Sequence, residues 1–475
     1  MFEARYSKKT IVNTLLVLLG LIGIMYPTDG FGFAIIVPVL IFALCSKRTE
    51  LVFMLVMLCG LSIITNSFFM PRNVAFFVVQ RVIMLALGSY YLAVAAFERN
   101  SRFLTPLLGI LFYIFYSIIP SLDGWNPIVS LLKIVLFVCS FFAYYGPMTR
   151  MIVRQSDESI VRLRSIMLGI AIFYIVGSIV LIPFPEISQL KGQEVTPDTI
   201  SLFKGMTTHS QCLGPVVATI SVILLGDMLF SLKRFDWLYM SLLILCPILI
   251  YKTSSRTGMF SYALSMMLVA FFFVKSHEIN RKWQSRVTTW SVGLAVLSIA
   301  FVIFSSSVRE EIVNFVLKKY NLEQDREMEL TYENVTVTRQ FLVDKSMYNF
   351  HQKPMLGNGF QVSDVMDFSV AGPSDLGRLL SAPIEKGVWV SAVLEEGGVC
   401  GMILFCAYCL TAMTLFVKRK VYIGASLFAF MLVSNMAEFS MFSMSYTGGF
   451  IWAMLFMGIG FDASRVNYRE QYIWR

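Results

Sequence analysis

Long apolar stretches alternate with short polar ones along almost the whole chain. A helix of about 20 apolar residues crosses the roughly 30 Å hydrocarbon core of a bilayer. Because the bilayer core offers no water to backbone N–H and C=O groups, such stretches form helices that satisfy these groups internally. The pattern predicts about fourteen membrane-spanning helices (twelve to fourteen), at 11–26, 31–45, 51–69, 74–96, 103–120, 127–145, 165–183, 208–231, 236–251, 258–274, 288–305, 388–416, 421–437 and 445–461.

The composition agrees with this pattern. The chain has 475 residues, of which 57% are hydrophobic and 15% are charged, and its mean hydropathy is +0.70. No soluble globular domain needs so much apolar side chain, so we expect an all-α polytopic membrane protein. The first apolar stretch follows a basic lead but lacks a small-x-small cleavage motif, which favours a retained span over a removed signal peptide.

Lysine and arginine predict the orientation of the spans. With the N-terminus inside, the inner segments carry 23 of these residues and the short outer loops carry five. Cytoplasmic loops are enriched in positive charge, so we expect an even number of spans with both termini cytoplasmic. The net charge of +9 then reflects topology, and no nucleic-acid partner is expected.

One outer loop, 306–387, is far longer than the others and holds nine basic and twelve acidic residues. Loops of this length within a compact fold are usually functional. The sequence therefore divides into a membrane domain at 1–305, a large outer loop that acts as a lid at 306–387, and a second membrane segment with a short tail at 388–475.

Local patterns inside this loop predict three different structures. VREEIVNFVLKKY, 308–320, is typical of a helix, and NVTVTRQFLV, 334–343, favours a β-strand because it is rich in β-branched residues. HQKPMLGNGF, 351–360, is typical of a turn.

Metal and disulfide chemistry is not expected. The eight cysteines lie in predicted spans without paired C-x-x-C motifs, and there are three histidines. Asp364 and Asp367 stand in a D-x-x-D spacing that is more typical of a turn than of a metal site. We predict no metal and no cofactor.

Four short polar motifs gather on the predicted outer face. They are 205–214 (GMTTHSQCLG), 253–258 (TSSRTG), the loop turn 354–359 (PMLGNG) and 396–401 (EGGVCG). Taken singly, each has an ordinary explanation, such as a helix cap or a cation that reaches the membrane surface. Glu395 and Glu396 begin an apolar span, so they either lie in water outside it or meet cations or a hydrated cavity. Two further charges within apolar runs, Arg81 and Lys133, either form buried pairs, line a hydrated lateral cleft, or reach the surface as lone cations.

Taken in order, these motifs and Arg339 in the large loop resemble the O-antigen ligase and polymerase superfamily of bacterial envelope proteins. The resemblance covers roughly 200–460 in motif and the whole chain in topology. It implies a GT-C-like glycosyltransferase arrangement in the bacterial inner membrane. It further implies an enzyme that joins oligosaccharide repeat units linked to polyprenyl diphosphate on the periplasmic face, with lipid, a chain-length regulator and a flippase as partners.

The resemblance also implies roles for particular residues. Arginine pairs with phosphate oxygens through a planar fork and does not deprotonate, so it suits stabilisation of a diphosphate leaving group. The implied catalytic residues are Arg256, Arg339, Glu396 and His209. The implied substrate-binding residues are Arg378, Lys252, Lys204, Lys386 and Gln211. The residue that orients the acceptor hydroxyl stays open among Glu396, Glu395, Glu385 and His209, and a mechanism without a dedicated base is also open.

One departure bears on the type of enzyme. Ligases of this family usually carry a loop histidine about nine residues before the glutamate of the last motif, and Gly387 stands there. This favours a polymerase, with an O-antigen ligase as the alternative.

Two other classes fit less well. A lipid-linked oligosaccharide flippase should show two related halves with short loops on both sides. A membrane scaffold or sensor should carry a soluble domain on its signalling side. The chain shows no internal repeat, and its predicted cytoplasmic segments are all short.

Overall fold

The computed structural model describes residues 49–69, 74–95, 101–154, 157–189, 203–232, 235–253, 255–276, 281–289, 332–362, 386–436, 439–443 and 446–473, with a few single positions between 16 and 45. The named helices within these residues are α1 (Thr49–Ile64), α2 (Val74–Ala95), α3 (Ile110–Tyr116), α4 (Ile118–Leu122), α5 (Pro127–Arg154), α6 (Asp157–Ala171), α7 (Gly177–Val180), α8 (Pro185–Ser188), α9 (Ser210–Gly226), α10 (Trp237–Lys252), α11 (Arg256–Lys275), α12 (Tyr332–Gln352), α13 (Trp389–Lys418), α14 (Tyr422–Ser434) and α15 (Tyr446–Ile473). No strand occurs among the described residues, only two isolated bridges.

The chain is an all-helical membrane protein. Among the described residues, seven helical segments are long and apolar enough to cross a bilayer, and four shorter helices are similarly apolar. Short 3-10 or π turns adjoin three of the long segments, at Thr105–Gly109, Ile172–Val176 and Asp227–Leu232. The predicted spans at 11–26, 31–45 and 288–305, and the predicted helix at 308–320, lie wholly or largely outside the described residues.

The β-strand prediction for 334–343 is wrong, because this segment belongs to α12. Val335, Thr336 and Val337 favour a strand locally. A strand, however, needs a neighbouring strand to bond its backbone, and the described residues contain none. A helix satisfies its own backbone, and α12 packs against α13.

Aromatic side chains fill the centre of the bundle. Trp452 on α15 is fully buried, packs edge-on against Phe137 and Phe141 of α5, and donates its indole N–H to Met441 O at 2.7 Å. Edge-on aromatic pairs add to the stabilisation that burial provides.

Contacts between helix termini define two ends of the bundle. At one end, which we term the loop end, the segment 353–362 packs among the termini of α4, α5 and α13. The start of α13 lies here beside the end of α14, because Trp389 N donates to Asn435 O at 3.0 Å. At the opposite end, Asp462 of α15 accepts hydrogen bonds from the backbone N–H groups of Ile423 and Gly424 at 2.7 and 3.0 Å. A carboxylate at a helix start satisfies N–H groups that have no partner within the helix.

A buried ion pair also fastens the opposite end. Arg164 donates to both carboxylate oxygens of Asp227 at 2.9 Å, and the Tyr239 hydroxyl lies 3.2 Å from Asp227 Oδ2. The Asp227 side chain is 1% exposed. Removing one partner of a buried pair leaves a charge that the interior cannot solvate.

We expect Arg164→Met to lower the free energy of unfolding by about 3–5 kcal/mol, because Asp227 would stay buried without its cation. The measurement is the thermal unfolding midpoint of the detergent-purified protein. Arg286→Met is the control, since Arg286 is exposed at the same end. Equal midpoints for the two variants would contradict the prediction, and Arg164→Met/Asp227→Leu should recover much of the loss.

Candidate functional site

The structure brings the four sequence motifs together in two pairs at the loop end. The first pair joins 205–214 to 253–258. A Cβ placed on Gly214 would lie 3.2 Å from the Ser255 side chain, and one on Gly258 would lie 3.5 Å from the Gly214 backbone. The absence of side chains at these two glycines therefore allows α9 and α11 to meet where both helices begin.

Each helix of this first pair begins with a side-chain cap. His209 precedes α9, and its Nδ1 accepts from the Gln211 backbone N–H at 3.2 Å. Ser255 precedes α11, and its Oγ accepts from Gly258 N at 3.2 Å. With Nδ1 accepting, the neutral imidazole carries its proton on Nε2 and is a donor at that atom.

The cations predicted for this region differ in exposure. Arg256, the first residue of α11, is half-buried, and Lys204 is half-buried on the segment before α9. Lys252 ends α10 and is exposed, and Gln211 is exposed in the first turn of α9. The positive ends of two long helices thus meet beside an arginine and a histidine, an arrangement that favours anions.

The second pair joins the loop turn 354–359 to a break in α13. Gly398 has φ +63° and ψ −165°, a non-helical conformation in which the helix is interrupted. The turn supplies hydrogen-bond partners on both sides of the break. Before the break, the carbonyls of Glu395 and Glu396 accept from Asn358 N and Gly359 N, respectively. After the break, Val399 N and Cys400 N donate to the carbonyls of Pro354 and Met355, respectively. The Tyr116 hydroxyl donates to Gly397 O at 2.9 Å. The backbone groups that the break would leave without partners are therefore bonded.

Two glycines make this contact possible. Gly357 has φ +80°, and a Cβ there would lie 2.4 Å from the carbonyl carbon of Glu396. A Cβ on Gly398 would lie 2.4 Å from the carbonyl carbon of Met355. Both positions need the left-handed conformation and a close backbone approach, and glycine alone allows the two together.

Side chains from these two segments, from α12 and from the residues just before α13 form a buried charged cluster. We term it the carboxylate cluster and define it as Lys386, Glu395, Glu396, Asn349 and Asn358. Lys386 Nζ lies 3.2 Å from Glu396 Oε1 and 3.5 Å from Glu395 Oε1. All three charged side chains are at most 3% exposed. The glutamates therefore meet a cation and do not lie in water, which settles the alternative that the sequence left open.

Asparagines complete the cluster. Asn349 of α12 donates through Nδ2 to Glu395 Oε1 at 3.0 Å, and Asn358 donates through Nδ2 to the backbone O of Asn349 at 2.8 Å. Buried charges are tolerated when a counter-ion and hydrogen bonds accompany them. Asn349 and Asn358 were not singled out by sequence reasoning, although Asn358 stands inside the PMLGNG motif.

Neighbouring charges shift the pKa of two groups outside the predicted spans, the Lys386 ammonium and the Asp123 carboxyl. Burial alone would lower the pKa of the Lys386 ammonium, but the adjacent carboxylates of Glu395 and Glu396 outweigh it and raise that pKa. Lys386 is therefore charged at neutral pH. At the rim, the hydrogen bond from Lys353 at 2.7 Å lowers the pKa of the Asp123 carboxyl.

The segment after the turn continues onto α5. Lys133 is 3% exposed, and its Nζ donates to Gln361 O at 2.9 Å, so it is a buried, hydrogen-bonded cation and not one that reaches the membrane surface. Ser130 donates to Phe360 O at 2.8 Å. Arg81 is half-buried.

A short stretch of chain links the two pairs. Phe442 packs against Phe360 beside the loop turn, with ring centroids 5.4 Å apart. Thr447, five residues later, donates to Cys212 Sγ at 3.1 Å in the first pair. Five residues span at most about 18 Å, so the two pairs are close neighbours.

Some predicted site residues lie outside the described residues. Arg378 and Glu385 are among them. The backbone of Arg339 lies in α12, but its side chain is not described. The structure places His209, Gln211 and Arg256 in one region and Glu396 and Lys386 in another, so it separates Glu396 from the other predicted catalytic residues that it describes. The catalytic and binding roles stay predictions.

Comparison of the chain with protein-family models gives no match, and a search of curated proteins also gives none. Function must therefore be inferred from the residues of the chain itself.

We expect Gly398→Ala to destabilise the protein by more than about 1 kcal/mol, because a non-glycine residue in a strained conformation costs about that amount before any clash. Gly169→Ala is the matched control, since a Cβ there meets nothing within 4 Å. Thermal unfolding in detergent measures both. A Gly398→Ala midpoint at or above that of Gly169→Ala would disprove the tight contact at the break.

Proposed function

We propose that the chain is a membrane-embedded glycosyltransferase that polymerises oligosaccharide repeat units linked to polyprenyl diphosphate. The observation that carries the proposal is the meeting of 205–214 with 253–258, which brings His209 and Arg256 to the starts of two touching helices. Helix starts and arginine both favour phosphate oxygens. A lipid diphosphate carries such oxygens at the depth of the membrane surface.

The proposed reaction transfers a glycan from one lipid to another. The acceptor hydroxyl oxygen of one repeat unit forms a bond to the anomeric carbon of the growing chain. The bond from that carbon to the diphosphate oxygen breaks, and the electron pair leaves with the polyprenyl diphosphate. The hydroxyl proton passes to the departing diphosphate or to water.

Arg256 has the main role in this scheme. Charge on the diphosphate rises as the bond breaks, so a fixed cation stabilises the transition state more than the ground state. His209 adds an Nε2–H donor, and Arg339, Arg378, Lys204 and Lys252 are the further cations of the proposal.

In this scheme, neither Glu395 nor Glu396 needs to accept the proton of the acceptor hydroxyl. Glu395 and Glu396 are at most 3% exposed and face Lys386, so a substrate hydroxyl reaches them only if the cluster opens. A general base acts within hydrogen-bond distance of the proton it removes. This geometry favours electrostatic stabilisation without a dedicated base.

The finer topology belongs to the same proposal. It comprises about fourteen spans in a GT-C-like arrangement in the bacterial inner membrane, both termini in the cytoplasm, and the loop end in the periplasm. The excess of lysine and arginine on the other side supports this orientation. The glycine at 387 supports a polymerase over a ligase.

We expect Arg256→Ala to slow polymerisation by about 100- to 1000-fold, the usual cost of removing one group that stabilises developing negative charge. Arg256→Lys should keep part of the activity, because it keeps the charge but loses the fork. The assay follows a ladder of lengthening glycans from a synthetic polyprenyl-diphosphate-linked repeat unit and purified protein in detergent. Arg286→Ala, an exposed arginine at the opposite end, is the control.

The other classes give different results in this assay. A wild type that makes no ladder, but moves the glycan once onto a lipid A-core acceptor, would indicate a ligase. A wild type that makes no ladder, but moves the lipid-linked unit between leaflets of liposomes, would indicate a flippase.

We expect the ladder to form at the same rate with and without EDTA, because arginine and helix starts supply the positive charge that a divalent cation supplies elsewhere. Initial rates before and after chelation, with Mg²⁺ added back, provide the measurement. A rate lost in EDTA and restored by Mg²⁺ would count against a metal-independent reaction.

A further inference from the structure

We propose that Glu395 and Asn349 are positioning residues that fix α12, the helix carrying Arg339, against the membrane domain. The role of Arg339 itself rests on the proposed function. The hydrogen bond between the two side chains is the contact through which they act.

Side chains at and just beyond the C-terminal end of α12 anchor it to its neighbours. Asn349, 1% exposed, donates to Glu395 Oε1 at 3.0 Å, and its carbonyl accepts from Asn358 Nδ2 at 2.8 Å. Ser346, one turn earlier on the same face, donates to Lys386 O at 3.5 Å. Lys353, just past the helix end, pairs with Asp123 at 2.7 Å.

The acceptor of this hydrogen bond, Glu395, is itself held by further contacts. Glu395 stays in place because Lys386 lies 3.5 Å from the same carboxylate oxygen and because the Glu395 carbonyl accepts from Asn358 N at 2.8 Å. A buried hydrogen bond to a charged group is stronger than a neutral one, and loss of its donor leaves the carboxylate poorly satisfied. Glu395 therefore holds Asn349 at a fixed point on α13.

Several described side chains earlier in α12 are exposed. Gln340, Phe341 and Asp344 are exposed, and Phe341 is 76% exposed. Arg339 stands ten residues before Asn349, which is about 15 Å along a helix. A tilt of about 4° at the anchor therefore displaces Arg339 by about 1 Å, a shift that can cost about 100-fold in rate.

The first test measures steady-state kinetics of polymerisation. Asn349→Ala should lower kcat about 100-fold and leave KM within about twofold, because a misplaced Arg339 weakens an interaction made in the transition state. Asp344→Asn is the matched control: it changes an exposed polar side chain five residues away on the same helix, and its kcat should equal that of the wild type.

Exchanging the donor and acceptor side chains of this hydrogen bond should restore kcat. Asn349→Asp alone sets a carboxylate against Glu395 and should be worse than Asn349→Ala. Asn349→Asp/Glu395→Gln restores one donor and one acceptor and should recover at least tenfold in kcat over Asn349→Asp. No recovery in a folded double variant would overturn the proposal.

A further comparison asks whether the anchor acts through Arg339. In an Arg339→Lys background, which keeps a charge but has already lost the guanidinium, Asn349→Ala should lower kcat by less than threefold. Residues that act through one another are not additive. If Asn349→Ala still lowers kcat about 100-fold in the Arg339→Lys background, Asn349 does not act through Arg339 and the proposal fails.

A distance measurement tests the anchor without any activity. Spin labels at Phe341→Cys on α12 and Ile128→Cys on α5, both exposed positions, report the separation of the two helices in a background without other reactive cysteines. Wild type should give one narrow distance, Asn349→Ala a broad or shifted one, and the reversed pair a narrow one again. Unchanged distributions would overturn the proposal even if the enzyme is active, whereas an inactive wild type with the expected distances would count against the proposed function alone.

Discussion

Satisfaction of backbone groups in a region without bulk water is the constraint on which the loop end depends. A helix broken at Gly398 exposes carbonyls before the break and N–H groups after it, and the hydrocarbon offers no partner for either. The turn 354–359 fits the break so closely that backbone bonds form in both directions. Gly357 and Gly398 are required because each faces the backbone of the other segment. The turn 354–359 is therefore built into the membrane domain at this point.

The same contact explains why charged residues can be buried beside it. Once the turn seals the break, Glu395 and Glu396 lose access to water and need a cation, which Lys386 provides from the segment just before the same helix, α13. Asn349 then donates to Glu395 Oε1, and Asn358 donates to the backbone carbonyl of Asn349. Removing a single member leaves an uncompensated charge, so the cluster acts as a unit. Its energetic cost is tolerated only where the geometry must be specific.

Much of the fold follows from hydropathy, and much of the site from motif position. Described helices occur at eleven of the predicted spans, most of them within a few residues of the predicted bounds, since long apolar runs have few alternatives in a bilayer. The strand at 334–343 was predicted wrongly because local propensity does not include the missing partner strand. The pairing of Glu395 with Lys386 and Asn349 could not be predicted, since it depends on the turn 354–359, which ends 30 residues before α13 begins at Trp389. The contact of Gly214 with Ser255 was likewise hidden, although both motifs had been assigned to one face.

The loop end thus combines two regions with different physical demands. The starts of α9 and α11 place His209 and Arg256 at half-buried or exposed positions, where a ligand can reach them. The carboxylate cluster is sealed and holds α12 in a defined direction. Phe442 contacts Phe360 after the loop turn and Thr447 contacts Cys212 in the first turn of α9, so five residues of chain separate these two contacts. A cation carried by a loop acts on developing charge only if its distance from that charge is fixed before the reaction begins. Under the proposed function, the buried cluster would provide that fixed distance from outside the proposed substrate-binding region, which would leave that region open to lipid and glycan.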